Sequence, residues 1–530
     1  MPEPPPAGDA NAPAPGAIGR ATRSGLAWST LSFIAAKLTT LVSTLVLARL
    51  LVPAQFGVVA AIIVFLALIE LGSDLGMKAT VIYEQEGGIT ERTQTAFTLN
   101  LMIAGGLAVA GFLLAPVIAR FFHLEHHIWL FRLGTLNVLI TALGNVQDGV
   151  LLRDMRWRLR IISEVVRAVV RAAVSIGLAF AGLGAASLVW GMLAGTLAWT
   201  LLLWGMTGMR PTFRLNRSIA RNMLAYGTAA SMLSVIAVVS TRVDTAVIGR
   251  VLGGRALGLY VIAFRVPDLV IGQVAANLSL VAFPALARKR AADREGLGPA
   301  TLKLMRYQTL YALPLAAGIA VLASPLTNVL FSSKWLDSAG VLAPVSIMAA
   351  FSATVFPLGD AFKAVGRQRV LVFLNFIQLP LLITAIILLA HRGIVAVGWA
   401  RAGSQILWAA LVVIAVARLL DIHPLRMAAA VLPGLYAALG VILGAGAVRL
   451  AWGGVSAGPL LAGAAAGALG AALLLRLLAP AMYAEVLEQI RALLGGLSRR
   501  RRRAQAGGPE EAEPLPPAPL PVDQIAGTPR

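Results

Sequence analysis

Apolar stretches of about 20 residues recur along the chain, and each is long enough to cross roughly 30 Å of hydrocarbon as a helix. They fall at residues 26–50, 56–78, 94–119, 128–150, 161–181, 185–207, 223–248, 256–286, 304–331, 340–362, 370–391, 394–418, 427–448 and 457–479. The expected fold class is therefore all-α and integral to a membrane, with about 14 transmembrane helices. Composition agrees, since 58% of the 530 residues are hydrophobic and 13% charged, whereas soluble domains carry about 25% charged residues. The chain has no cysteine, which excludes a disulfide framework, thiolate-ligated zinc, iron–sulfur clusters and cysteine nucleophiles. Residues 1–19 and the Pro-, Ala- and Glu-rich stretch from Gly508 lack enough apolar surface to pack and read as disordered tails. The N-terminus also lacks the basic segment and short apolar core of a cleavable signal peptide.

The net charge is +21, and its distribution gives it meaning. Assigning loops alternately to two sides puts roughly 29 basic residues on the side of the N-terminus and about 8 on the other. Arg153, Arg156, Arg158 and Arg160, then Arg210 to Arg221, Arg288 to Arg306, Lys363 to Arg369 and the run Arg499 to Arg503 all fall on the first side. Basic loops stay cytoplasmic, so both termini are expected there. The excess is topological rather than a nucleic-acid surface, and the five-arginine run suits anionic lipid headgroups at the end of the last helix.

The stretches Leu47 to Gly57 and Ile248 to Gly258 align without gaps at an offset of 201 residues. Arg49 and Gly57 thereby match Arg250 and Gly258. Leu114-Ala115-Pro116 corresponds to Ala323-Ser324-Pro325, and the basic loops after spans four and ten also correspond. The chain reads as a tail over 1–19, six-helix bundles over 20–210 and 211–420, two added helices over 421–480, and a basic then Pro-rich tail over 481–530. Parallel repeats of this kind place a substrate site at their interface in many transporters. The added helices are rich in Ala, Gly and Leu and are read as peripheral.

An ionisable side chain at the bilayer centre costs about 2.5–3.5 kcal/mol on insertion scales, so it must face protein, water or ligand. Lys37, Glu70, Arg265 and Asp268 lie at or near mid-span, and Arg401 lies in the outer half of span twelve. For the first four, two readings stand. Either they are charges paired to hold helices together, or they are cations that receive an anionic ligand and carboxylates that take up a proton or a cation. Glu164, Arg167 and Arg171 share one face of span five by their spacing; a local pair of Glu164 with Arg167 is the plain reading. Arg242 and Asp244, two apart, face different directions and are not simply each other's partner. Asp74 reads as a solvated terminus.

No P-loop, HExxH or GxSxG motif occurs, so the chain cannot bind ATP through a P-loop, and no cofactor is expected. His123-Leu124-Glu125-His126-His127 sits in a short outer loop and reads as an ordinary polar loop, not a metal site.

Over residues 20 to 420 a series of motifs stands in order: Gly25-Leu26-Ala27-Trp28-Ser29, Leu47 to Gly57, and Glu70-Leu71-Gly72 with Asp74-Leu75-Gly76. It continues through Asp244 to Tyr260, Phe283-Pro284-Ala285-Leu286 and Gly366-Arg367-Gln368-Arg369. In their order and spacing the chain resembles the oligosaccharide flippases of bacterial polysaccharide biosynthesis, a branch of the multidrug/oligosaccharidyl-lipid/polysaccharide exporter superfamily. Within that branch it is similar to the proteins associated with exopolysaccharide, colanic acid and teichuronic acid export. The resemblance implies two six-helix bundles forming a V around a central cavity that opens alternately to either side. It also implies a polyprenyl-pyrophosphate-linked oligosaccharide as substrate, moved from the inner to the outer leaflet of the bacterial inner membrane, with a polymerase and export machinery as partners. On that basis Lys37, Arg265, Arg171, Arg242 and Arg401 are the expected pyrophosphate contacts, and Glu70 and Asp268 the expected coupling carboxylates. Asp74, Asp244, Arg49, Gly57, Arg250, Gly258 and Pro284 are motif positions. A drug exporter of the same fold, a peptidoglycan-precursor flippase and a membrane enzyme acting on lipid-linked glycans are the alternatives.

Overall fold

The computed structural model describes residues 37–73, 89–154, 156–208, 213–293, 295–489 and 491. Among them the chain is helical throughout, without strands. It divides into two compact units, residues 1–474 and 475–530. In chain order the first unit holds α1 (described over 37–50), α2 (Pro53–Ser73), α3 (Ile89–Phe121), α4 (Ile128–Arg153), α5 (Trp157–Phe180), α6 (Ala185–Thr207) and α7 (Arg217–Val251). There follow α8 (Gly253–Pro267), α9 (Gln273–Ala292), α10 (Leu297–Val321), α11 (Ala323–Phe331), α12 (Ala339–Val365), α13 (Arg369–Ala390), α14 (Ile394–Leu419), α15 (Pro424–Trp452) and α16 (Ala457–Leu478), whose last turn enters the second unit. The described part of the second unit continues as a helix over 480–489.

By length and apolarity 10 of the described helices can cross a membrane, or 11 if the bent pair α10 and α11 counts as one span. The chain is a multi-pass membrane protein. Helices also stand where the sequence placed spans one, five and seven. Of these, α5 carries Glu164, Arg167 and Arg171 in its apolar stretch, which is why hydropathy alone passes over it.

Two expected spans are not straight helices. Span nine bends by 80° between α10 and α11, and Pro325 occupies the first turn of the new helix, where a missing N–H costs no bond. Span eight is interrupted: Pro267 closes α8, and Asp268–Gly272 form a π turn before α9. Pro267 cannot donate to the helix ladder, and a π turn shifts that ladder by one residue.

Glycines set the closest helix contacts. The link Gly182-Leu183-Gly184 reverses the chain with both glycines at positive φ, making α5 and α6 antiparallel neighbours. A Cβ at Gly195 would lie 2.8 Å from Arg167 O. At the crossing of α2 and α8, a Cβ at Gly57 would lie 1.8 Å from Gly254 O, and one at Gly258 would lie 1.8 Å from Pro53 O. The two backbones touch there, as small residues allow within lipid. The helices expected at the periphery are seated the same way: a Cβ at Gly434 of α15 would meet the Thr309 backbone of α10, and one at Gly444 the backbone of Ala466 in α16.

Candidate functional site

Beyond the glycine crossing, α2 and α8 bound a cavity of about 350 Å³ together with α7. Its polar wall is Thr241, Arg242, Asp244, Tyr260, Arg265 and Asp268. Ala60 and Ile63 of α2 supply an apolar side. The helical period brings these residues together, because Thr241 and Thr245 are four apart on α7, while Tyr260 and Phe264 of α8 and Asp268, which opens the π turn, follow at intervals of four. The π turn at Asp268 follows at once, and such turns collect at functional positions.

The carboxylates have different surroundings. Asp244 is buried and accepts hydrogen bonds from Tyr260 Oη (2.8 Å) and from Thr245 N (2.7 Å). Arg401 of α14 reaches it with Nη1 at 3.2 Å and also donates to Ser240 O at 3.0 Å. Arg401 therefore ties α14 to α7, and its charge is met by Asp244. Asp268 is accessible, with long contacts from Gln273 Nε2 at 3.3 and 3.4 Å.

The arginines face open space. Arg265 is within electrostatic reach of Asp268 and Arg242, and Arg171 of α5 is within reach of Arg265. The side chains of Arg171, Arg242 and Arg265 are all exposed, and Arg242 and Arg265 line the cavity. Arg167 does not take up the local pair expected of it: among the described residues it has no ion pair with Glu164, and its guanidinium lies over the Trp199 ring, 5.1 Å from the centroid. An arginine stacked on an indole is stabilised without a carboxylate.

The remaining expected residues stand elsewhere. Lys37, at the start of the described part of α1, and Glu70, half-buried late in α2, are not among the described residues lining this cavity. Asp74 lies outside the described residues. Pro284 is on an exposed face of α9. Arg49 and Arg250 sit at the far side of the glycine crossing. No cluster of His, Asp or Glu suited to a metal occurs among the described residues. His123 instead meets Arg250 through Nε2 at 3.0 Å.

Two buried carboxylates escaped the sequence reading. Asp148 in α4 bonds to Arg160 Nε at 2.8 Å. Asp360 in α12 accepts from Ser279 Oγ and pairs with Lys363 at 3.1 Å. They occupy like places, late in spans four and ten and just before the two basic loops already matched in sequence. That correspondence was the available signal. A second cavity of about 550 Å³ lies among α10, α15 and α16 and is walled by apolar residues such as Leu310, Pro314, Leu322, Val441 and Leu460. It offers nothing to recognise a charged group.

Comparison with known proteins agrees with this architecture. The succinoglycan biosynthesis transport protein ExoT of Rhizobium meliloti (strain 1021) is 25% identical over 350 residues, covering 65% of this chain and 69% of its own length. The lipopolysaccharide biosynthesis protein WzxC of Escherichia coli (strain K12) is 25% identical over 371 residues, covering 69% and 75%. The solved structure of lipid II flippase MurJ in an inward closed conformation matches with a TM-score of 0.72 at 13% identity, over 87% of this chain and 99% of that one, which shows a shared fold. The model of the family described as polysaccharide biosynthesis protein matches residues 46–340. As that match spans more than half of the sequence, the chain belongs to the polysaccharide biosynthesis protein family.

Proposed function

We propose that this protein is a flippase that carries a polyprenyl-pyrophosphate-linked oligosaccharide from the inner to the outer leaflet of a bacterial inner membrane. It works by alternating access between two six-helix halves and is driven by an ion gradient. The observation that supports the reading is that Arg242 and Arg265 line one cavity with the open carboxylate Asp268, with Arg171 within electrostatic reach of Arg265. Three guanidinium groups around one carboxylate leave a surplus of positive charge within hydrocarbon, which an anionic ligand would offset. Arginine engages phosphate oxygens in bidentate fashion. A sugar hydroxyl stripped of water without a partner costs several kcal/mol, so a glycan headgroup needs a wet polar route. A drug exporter for cations would need the opposite sign of charge.

In this reading Arg171, Arg242 and Arg265 meet the pyrophosphate. Arg401 acts through Asp244 to hold α14 against α7. Asp268, open to the cavity, and Glu70 are the candidates for ion coupling, since about 100 mV supplies roughly 2.3 kcal/mol per charge moved.

The test is flipping of a labelled polyprenyl-pyrophosphate glycan in proteoliposomes with an imposed ion gradient. Arg265→Ala should slow flipping about 10- to 100-fold, the worth of one charge-assisted contact. Asp268→Asn or Glu70→Gln should abolish the gradient dependence while folded protein still accumulates. Normal gradient-driven flipping in both amide variants removes the coupling proposal. A covalently altered glycan, or preference for cationic drugs, removes the flippase reading.

A further inference from the structure

Arg49 and Arg250, matched in the sequence repeat, each bond to a helix-end carbonyl of the opposite half of the sequence. Arg49, near the end of α1, donates from Nη2 to Val329 O in the last turn of α11 at 3.0 Å. Arg250, near the end of α7, donates from Nη1 to Phe121 O at the end of α3 at 3.1 Å. Its guanidinium also lies over the Phe121 ring, 5.4 Å from the centroid. Each arginine belongs to one half of the sequence and each acceptor to the other. The acceptors are terminal helix carbonyls, which have no partner within their helix and carry its negative end.

The contact between the two glycines is exchanged in the same way: position 57 meets Gly254 and position 258 meets Pro53, each pair matched at the same 201-residue offset. One to two turns further along, Ala60 and Ile63 face Tyr260 and Arg265 across the cavity. So the backbones of α2 and α8 meet at the arginine end, and the cavity lies on the other side of that crossing. That end is dry, for Trp335 is fully buried, donates from Nε1 to Ala48 O at 2.8 Å and meets Phe56 edge-on.

We propose that Arg49 and Arg250 are paired latches that hold this end of the cavity shut, and that opening toward this side requires both bonds to break. The Trp335–Ala48 bond between the halves is buried and must break as well for this end to open. Both arginines are exposed, so water can replace each of their bonds at little net cost. At the glycine crossing itself backbone meets backbone, Gly57 against Gly254 and Gly258 against Pro53. In the topology read from the basic loops, this is the periplasmic side.

The chain contains no cysteine, so Thr241→Cys, in the cavity wall, makes a single reporter. The measurement is its labelling by a membrane-impermeant maleimide from each side of sealed vesicles. With both arginines intact, labelling from the latch side should be slow. Arg49→Gln and Arg250→Gln should each speed it about fivefold, by similar amounts, and together more than tenfold, as expected for losing one modest hydrogen bond each. An unchanged side preference in the double variant, or a shift in only one single variant, overturns the proposal. Equal total labelling in detergent checks folding. Should the glutamine variants not accumulate, the lysine variants are read by the same criteria. The inference takes its side of the membrane from the proposed topology. The readout needs no substrate, so a failed flipping assay alongside an intact latch response would count against the substrate reading alone.

Discussion

Replacing Gly57 with alanine should push α2 and α8 apart and lower stability by about 1–3 kcal/mol, the usual cost of forcing atoms into a packed contact. The obstacle is backbone, not a side chain that can swing aside: the added Cβ would lie 1.8 Å from Gly254 O. Gly258→Ala should behave alike, since its Cβ would lie 1.8 Å from Pro53 O. The double variant should cost much less than the sum of the two, because once the crossing has opened for one methyl group it has room for the second. Thermal unfolding of the purified protein in detergent measures all three. Unchanged midpoints in both single variants would mean that the helices do not meet as described.

Asp244→Ala should be more damaging, by about 3–5 kcal/mol, because it leaves the Arg401 guanidinium largely buried without its counter-charge. Tyr260 would lose its acceptor in the same step. Adding Arg401→Met should recover part of the loss, since an apolar pair often replaces a buried ion pair without penalty. Stability measured over the cycle of single and double variants should therefore show a coupling of more than 1 kcal/mol. Additive effects would mean that Arg401 and Asp244 do not act as a pair. This cycle separates Arg401 from the three open arginines, for which removal should impair substrate handling more than stability.

The residues show which features were legible beforehand. Apolar stretches marked where the described helices run, 10 or 11 of them long and apolar enough to cross a membrane, because crossing hydrocarbon demands length and apolarity that no soluble helix needs. The cost of intramembrane charge picked out Arg242, Arg265 and Asp268, which do line one cavity. Spacing within a helix gives a direction but never a partner. So Arg401 was expected to meet substrate when its guanidinium lies against Asp244, 157 residues earlier in the chain, and Arg167 was given to Glu164 when an indole on the next helix holds it. Asp148 and Asp360 were passed over because they stand near span ends, where a carboxylate usually costs little, although both are buried. The π turn after Pro267 and the 80° bend near Leu322 were equally hidden, since a proline permits a break without dictating its form.

By itself the sequence determined the membrane class, where the described helices run and which charges must be sheltered from lipid, because each follows from transfer energies and local periodicity. Only tertiary structure decided which charges line one cavity, which are neutralised in pairs, and where the backbones of two helices meet at glycines. Those outcomes depend on contacts between residues far apart in the chain, and hydropathy carries no record of them.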